Sequence, residues 1–104
     1  MAIWTRELDL KALNAGSANT AISHLGIEFT EYGDDYVRAR IHVDERTCQP
    51  YGILHGGVSV VLAETLGSMA AACSIPEGYR CVGLGVTANH VRAGRKGSWI
   101  TATA

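Results

Sequence analysis

The sequence has few cysteines, few prolines and no excess of basic residues, and each of these shortages argues against a class of protein. Its three cysteines are odd in number and show no C-x-x-C spacing, which argues against a disulfide framework or a thiolate zinc site. Nine Lys and Arg face ten Asp and Glu, and the resulting net charge of −1 lacks the strong basic excess typical of nucleic-acid-binding proteins. Only two prolines accompany twelve glycines, which indicates tight turns rather than a linker.

No targeting or membrane signal is visible either. Residues 1–14 lack the apolar core of a signal peptide. The most apolar run, 56–74, has about the length of a membrane span, but it contains Glu64 and three glycines. Because a carboxylate at the centre of a bilayer costs several kcal/mol, we interpret this run as a helix buried in a soluble protein. We therefore expect a cytoplasmic protein with neither a membrane nor a nucleic-acid partner.

Length and hydrophobic pattern predict one α+β domain. With 104 residues, 47% hydrophobic and 18% charged, the chain allows one globular core and no second domain. Helical spacing predicts one or two short helices within 5–25, and alternation predicts a hairpin over 26–43 with its turn at 32–35. A long helix over 56–74, buried on most sides, and strands over 81–91 and from 98 onward follow. This order indicates an antiparallel sheet packed on one central helix.

A single carboxylate, Glu64, lies near the middle of the apolar helix. Desolvation disfavours the charged form of a carboxylate, so a buried Glu64 must be paired, neutral or functional. Ser68 follows four residues later, on the same face of the helix, where its hydroxyl is placed to hold a water or a substrate carbonyl. The alternative is that Glu64 reaches solvent or forms an ion pair with Arg38 or Arg40.

The sequence His55-Gly56-Gly57 stands just before this helix. Glycine at a helix N-terminus exposes backbone N–H groups at the positive end of the helix dipole, which is how many oxyanion holes are built. A glycine cap that serves only a tight turn is the alternative. Gly56 and Glu64 are eight residues apart, or about 12 Å along a helix. This distance is too long for both residues of one chain to contact the same substrate carbonyl group. If both act on one bond, they come from different chains, which suggests a dimer with shared sites.

Two stretches closely resemble the hotdog-fold acyl-CoA thioesterases: RTCQPYGILHGGVSVVLAETLGSMA at 46–70 and VGLGVTANHVR at 82–92. The spaced motif QPxGxLHGGxSxxLAExxGS is long and specific, and the resemblance covers essentially the whole chain. More narrowly, the chain is similar to the branch of 4-hydroxybenzoyl-CoA thioesterase, the naphthoyl-CoA hydrolase of menaquinone synthesis and the proofreading thioesterase of enterobactin synthesis. ANHVR at 88–92 resembles the naphthoyl-CoA enzymes most, which favours an aromatic acyl-CoA as substrate.

The resemblance implies catalytic roles for five residues. Glu64 matches the carboxylate that acts as general base on water or as nucleophile on the thioester carbonyl. Gly56 matches the glycine whose N–H polarises that carbonyl. Gln49 and His55 match residues that orient the thioester and the attacking water, and Ser68 matches the hydroxyl that assists near the carboxylate. In the family, the glutamate and serine come from one subunit and the other three from the facing one, in a homodimer or a dimer of dimers.

The resemblance also implies a substrate-binding set. Met69 is expected to line the acyl pocket. The cleft for the acyl group and coenzyme A is expected to contain Gly83, His90, Val91, Arg92 and Ala93. Arg92 is suited to neutralise the phosphates of coenzyme A. No cofactor is expected, since coenzyme A is part of the substrate, and the spacing of His42 and His55 matches no metal motif.

Two other functions stay open at this point. An acyl dehydratase of the same fold resembles the chain less, because it lacks the LHGGxSxxLAE arrangement. A non-catalytic acyl-CoA-binding module is the second alternative. Family members carry two further strands beyond the one that starts at Ser98, so the resemblance predicts a domain truncated at its C-terminus, with an apolar sheet edge left unpaired.

Overall fold

The computed structural model describes residues 1–104 as three helices and three strands. Two short helices, α1 (Leu10–Gly16) and α2 (Ala21–His24), precede the strands β1 (Glu28–Tyr32) and β2 (Val37–His42). The long helix α3 (Gly56–Ser74) and the strand β3 (Trp99–Thr103) complete the order. The sheet runs β1-β2-β3 with antiparallel pairing throughout, so the predicted α+β arrangement is confirmed.

The two short helices begin where side chains satisfy their free backbone amides. Asp9 accepts a hydrogen bond from the backbone N–H of Lys11 at 3.0 Å, and Thr20 accepts one from Ile22 at 3.2 Å. Asn19, just before the second cap, has a φ of 61°, a left-handed conformation that asparagine tolerates better than most residues. The prediction of one or two short helices within 5–25 is therefore confirmed, and the structure has two.

Alternation along β2 places the core on one face of the sheet. Val37, Ala39 and Ile41 are at most 1% exposed, whereas Arg38 and Arg40 point to the other face. Leu62 and Leu66, one turn apart on α3, pack onto this buried face. Burial of each such side chain contributes about 1.5–3 kcal/mol. The packing of α3 on the sheet is thus what holds the site-bearing helix in place.

The predicted strand over 81–91 is wrong for the single chain. Residues 80–93 make no backbone hydrogen bond and belong to no strand. Val82 and Leu84 are 90% and 104% exposed. Apolar alternation suits a strand, but a strand forms only where another strand accepts and donates its backbone hydrogen bonds, and 80–93 pairs with none of the three strands of the sheet.

The prediction that α3 is buried on most sides is also wrong. Only Leu62, Leu66 and Cys73 are buried, and Glu64 is exposed. One side of α3 packs on the three-stranded sheet. Elsewhere the helix touches the irregular segment 80–93, for example through the thiol of Cys81, but this segment leaves most of the helix residues partly exposed. By length and composition alone, α3 passes the test for a membrane span, as the core helix of a soluble protein also does.

Candidate active site

The N-terminus of α3 presents one backbone amide without a partner. His55 caps the helix: its Nδ1 accepts the N–H of Gly57 at 2.9 Å. The carbonyl of His55 accepts the N–H groups of Val58 and Ser59 at 2.9 and 3.2 Å. Of the first four amides of the helix, only that of Gly56 donates to no acceptor in the chain. A free N–H at the positive end of a 19-residue helix is suited to bind an oxygen that gains negative charge.

A cleft of about 1330 Å³ opens beside this amide. Its walls come from the start of α3, from the extended segment 86–95 and from residues 99–101 around β3. Six of the eleven site residues predicted from the sequence line it: Gln49, Gly56, His90, Val91, Arg92 and Ala93. The structure therefore brings together, around one cleft, residues that lie up to 44 positions apart in the sequence.

Gln49 is held in the cleft wall by a tight turn. Its backbone N–H donates to the carbonyl of Ile53 at 2.8 Å, and its own carbonyl accepts from Gly52 at 2.9 Å. Gly52 has a φ of 82°, which favours glycine at this position. The side-chain oxygen of Gln49 accepts the N–H of Tyr51 at 2.5 Å. The amide NH₂ donates to no group in the chain, so this side chain offers a second donor to a ligand in the cleft.

Glu64 lies apart from this cleft, about 12 Å along the helix from Gly56. The Glu64 side chain is exposed, so in the single chain the alternative that it reaches solvent applies, and its burial does not. Arg38 and Arg40 form ion pairs with glutamates of β1 and not with Glu64. Oε1 of Glu64 lies against Gly83, so close that a Cβ atom at residue 83 would clash with it. The resemblance placed Gly83 in the substrate cleft, but Gly83 is absent from the walls of this cleft and lies against the carboxylate of Glu64 instead.

Ser68 and Met69 follow Glu64 by about one turn. The hydroxyl of Ser68 makes no hydrogen bond, while its carbonyl accepts the thiol of Cys81 at 3.4 Å. Met69 packs against the core cluster, and its sulfur accepts the thiol of Cys73 at 3.9 Å. Burial raises the pKa of Cys73, which makes this thiol a poor nucleophile. The predicted residues thus form two groups in one chain, one around Gly56 and one around Glu64.

The loop that carries Gln49 is anchored by a residue that the sequence did not single out. Thr47 is fully buried, and its hydroxyl donates to the carbonyl of His42 at 2.8 Å. Its own carbonyl accepts the N–H of His55, so one threonine fixes both ends of the loop. At the start of the loop, hydrogen bonds from Arg46 hold the pKa of Asp44 at about 2, below its usual 3.8. A buried threonine in a polar loop has no distinguishing sequence pattern.

Comparisons with known proteins identify the family of this chain. The model of the thioesterase superfamily matches residues 51–104. The proofreading thioesterase EntH of Cronobacter turicensis is 52% identical over 95 residues, which cover 91% of this chain and 69% of the relative.

Solved structures give the same result. The crystal structure of a thioesterase from Haemophilus influenzae matches with a TM-score of 0.93 at 48% identity, over 97% of this chain and 70% of that one. A thioesterase from Pseudomonas aeruginosa, solved with a glutamine-to-alanine substitution, matches with a TM-score of 0.94 at 46% identity, over 98% and 73%. The predicted hotdog fold and the predicted class of thioester hydrolase are thereby confirmed. This chain belongs to the thioesterase superfamily.

Proposed function

We propose that this chain hydrolyses acyl-CoA thioesters in an active site shared by two copies of the chain. The observation that carries the proposal is the unpartnered N–H of Gly56, a residue that lines the same cleft as Gln49, whose side-chain NH₂ is also unpartnered. Both groups donate hydrogen bonds, and both therefore suit a carbonyl oxygen that becomes an oxyanion in the transition state. The relatives named as thioesterases support the same chemistry.

Each residue has a defined step in this reaction. Gly56 N–H binds the thioester oxygen, and Gln49 and His55 orient the thioester and the water. Glu64 of the facing copy takes a proton from the water, whose oxygen forms a bond to the carbonyl carbon. The C–S bond then breaks, coenzyme A leaves as the thiolate and takes the proton from Glu64, and the acyl product ionises to a free carboxylate. Ser68 assists beside Glu64 on the same helix, and Met69 lines the acyl pocket.

Glu64 acting as nucleophile is the second form of the mechanism. The carboxylate then attacks the carbonyl carbon, the C–S bond breaks to release coenzyme A as the thiolate, and water hydrolyses the resulting anhydride. A single turnover in ¹⁸O-labelled water separates the two forms when enzyme exceeds substrate. A general base leaves the label in the released acid, whereas water attack on the glutamyl carbonyl of an anhydride leaves it in Glu64.

The substrate we propose is an aromatic acyl-CoA handled in the cytoplasm. The support is the resemblance of ANHVR at 88–92 to the naphthoyl-CoA enzymes, together with the place of Arg92 in the cleft wall, where its charge suits a phosphate of coenzyme A. Thiol release from benzoyl-, 4-hydroxybenzoyl- and straight-chain acyl-CoAs tests this preference. Faster turnover of the straight-chain thioesters would contradict the aromatic assignment.

Glu64→Gln is the direct test of the hydrolase. The substitution keeps the size of the side chain but removes its basicity, so thiol release from benzoyl-CoA is expected to fall at least a hundredfold. Glu77→Gln, an exposed carboxylate just beyond the C-terminus of α3, is the matched control and should retain normal turnover. Normal hydrolysis by Glu64→Gln would refute the mechanism. Binding of acyl-CoA without thiol release would favour a binding module, and hydration of an enoyl-CoA would favour a dehydratase.

Mixing two inactive variants tests whether the site is shared. Glu64→Gln and Gln49→Ala each disable a different half of the proposed site. In a randomly mixed dimer population half the dimers are mixed, and each of these has one intact site, so about one quarter of the activity should return. If both halves came from one chain, mixing would restore nothing.

A further inference from the structure

Ser59 and His90 face each other across the cleft beside Gly56. The hydroxyl oxygen of Ser59 lies 2.7 Å from the carbonyl oxygen of Gly56 and 3.4 Å from Nδ1 of His90. A hydroxyl has one proton to donate, and the shorter contact takes it. Ser59 therefore donates to the Gly56 carbonyl and turns a lone pair toward Nδ1 of His90.

This arrangement selects one tautomer of His90. Nδ1 bonds to the lone pair of Ser59 only if it carries the ring proton, which leaves Nε2 as a hydrogen-bond acceptor. Nε2 lies over the helix N-terminus, 3.2 Å from where a Cβ atom on Gly56 would stand. His55 has the opposite tautomer, because its Nδ1 accepts the Gly57 N–H and its proton is on Nε2.

The cleft therefore combines donors with one acceptor. Gly56 N–H and the Gln49 amide suit the thioester oxygen, but the bare Nε2 of His90 repels a carbonyl and suits an N–H or O–H group. We propose that Ser59 is a positioning residue that holds His90 with its proton on Nδ1, and that Nε2 of His90 binds a hydrogen-bond donor of the substrate beside the thioester. This proposal rests on the proposed thioesterase function. The donor is either an amide N–H of the pantetheine arm or a hydroxyl of the acyl group.

Nitrogen-15 NMR of the imidazole rings reads the tautomer without any need for hydrolysis. At about pH 9, where a free imidazole ring is neutral, the wild-type His90 should carry its proton on Nδ1. Ser59→Ala should shift the ring toward the Nε2–H form, whereas Ser59→Thr, whose hydroxyl can make the same bonds, should restore the wild-type signal. Ser74→Ala is the matched control, because Ser74 makes the same kind of bond to Ala71 on this helix.

Either of two NMR results would overturn the proposal: a wild-type His90 with its proton on Nε2, or a Ser59→Ala ring unchanged from the wild type. Since this readout is independent of turnover, it decides the tautomer even if the chain releases no thiol. Absence of thiol release from every thioester would instead refute the proposed function.

Kinetics identify the donor. Ser59→Ala should raise the KM for 4-hydroxybenzoyl-CoA about fivefold to tenfold with little change in kcat, because the lost contact is made in the ground state and the transition state alike. Loss of this KM effect with benzoyl-CoA assigns the donor to the acyl hydroxyl. An effect that persists with benzoyl-CoA but vanishes with S-ethyl thiobenzoate, which has no pantetheine amide, assigns it to the amide. Equal KM effects on all three thioesters, or none, would contradict the proposal.

Discussion

Strand β2 and the segment 80–93 have the same alternation of apolar residues and opposite structures. The apolar residues of β2 are at most 1% exposed, with β1 and β3 on either side and α3 packed on the buried face. In 80–93, Val82 and Leu84 are 90% and 104% exposed, and no backbone hydrogen bond forms. Alternation thus predicts which face of a strand would be buried, but the strand forms only if a neighbouring strand pairs with it.

The difference matters for the site because the two regions hold different parts of it. The core that includes β2 fixes α3, and with it the positions of Gly56 and Glu64. The segment 80–93 supplies His90 to the cleft and Gly83 to the carboxylate. Gly56 and Glu64 are therefore held in place by a packed core. His90 and Gly83 lie on a segment without backbone hydrogen bonds, which side-chain contacts hold against α3.

Substitutions in β2 and in the segment 80–93 should differ most in their effect on the free energy of unfolding. Ile41→Ala in β2 removes a fully buried side chain and should lower the free energy of unfolding by about 2–5 kcal/mol. Leu84→Ala in the exposed segment is the matched control and should change it by less than about 0.5 kcal/mol in a single chain. Denaturant unfolding of both variants measures the difference. A large loss in Leu84→Ala would show that 80–93 is packed against another surface in solution.

Gly83→Ala should separate activity from stability. The new methyl group would clash with Oε1 of Glu64, so the carboxylate must move, and thiol release should fall about tenfold to a hundredfold. Stability should change little, because residue 83 is exposed. Gly85→Ala is the control, since nothing lies within 4 Å of a Cβ atom there. Equal turnover of the two variants would show that Gly83 does not position Glu64.

The smallest expected effect depends on pH. Hydrogen bonds from Arg46 lower the pKa of Asp44 from 3.8 to about 2, so the charged form of Asp44 stabilises the folded state. This contribution is complete above about pH 4 and is lost as the pH falls toward 2. Asp44→Asn should therefore be less stable than the wild type at pH 7, and the gap should close below pH 3. A gap that stays constant down to pH 2 would rule out this ion pair as its source.

The local setting of Gly56 and Glu64 was predictable from the residues alone. The motif from Gln49 to Ser68 placed a glycine at a helix N-terminus and a carboxylate two turns later, and the structure has both. The separation of Gly56 and Glu64 along one helix also follows from residue spacing. Thr47 was not predictable as a contributor, because a single hydroxyl has no periodicity. Ser59 belongs to the motif, but its contact with His90 was not predictable, because the two residues are 31 positions apart in sequence.

The sequence by itself determined the local elements of this protein, since capping residues, helical spacing and alternation act over a few positions. It therefore specified α3, the β1–β2 hairpin and the family to which the chain belongs. Only the tertiary structure decided the exposure of Glu64, the absence of a strand over 80–93 and the contact between Ser59 and His90. All three features depend on which parts of the chain come into contact. Whether a side chain is buried or a strand is paired is decided by the neighbouring segment as well as by the residue's own segment.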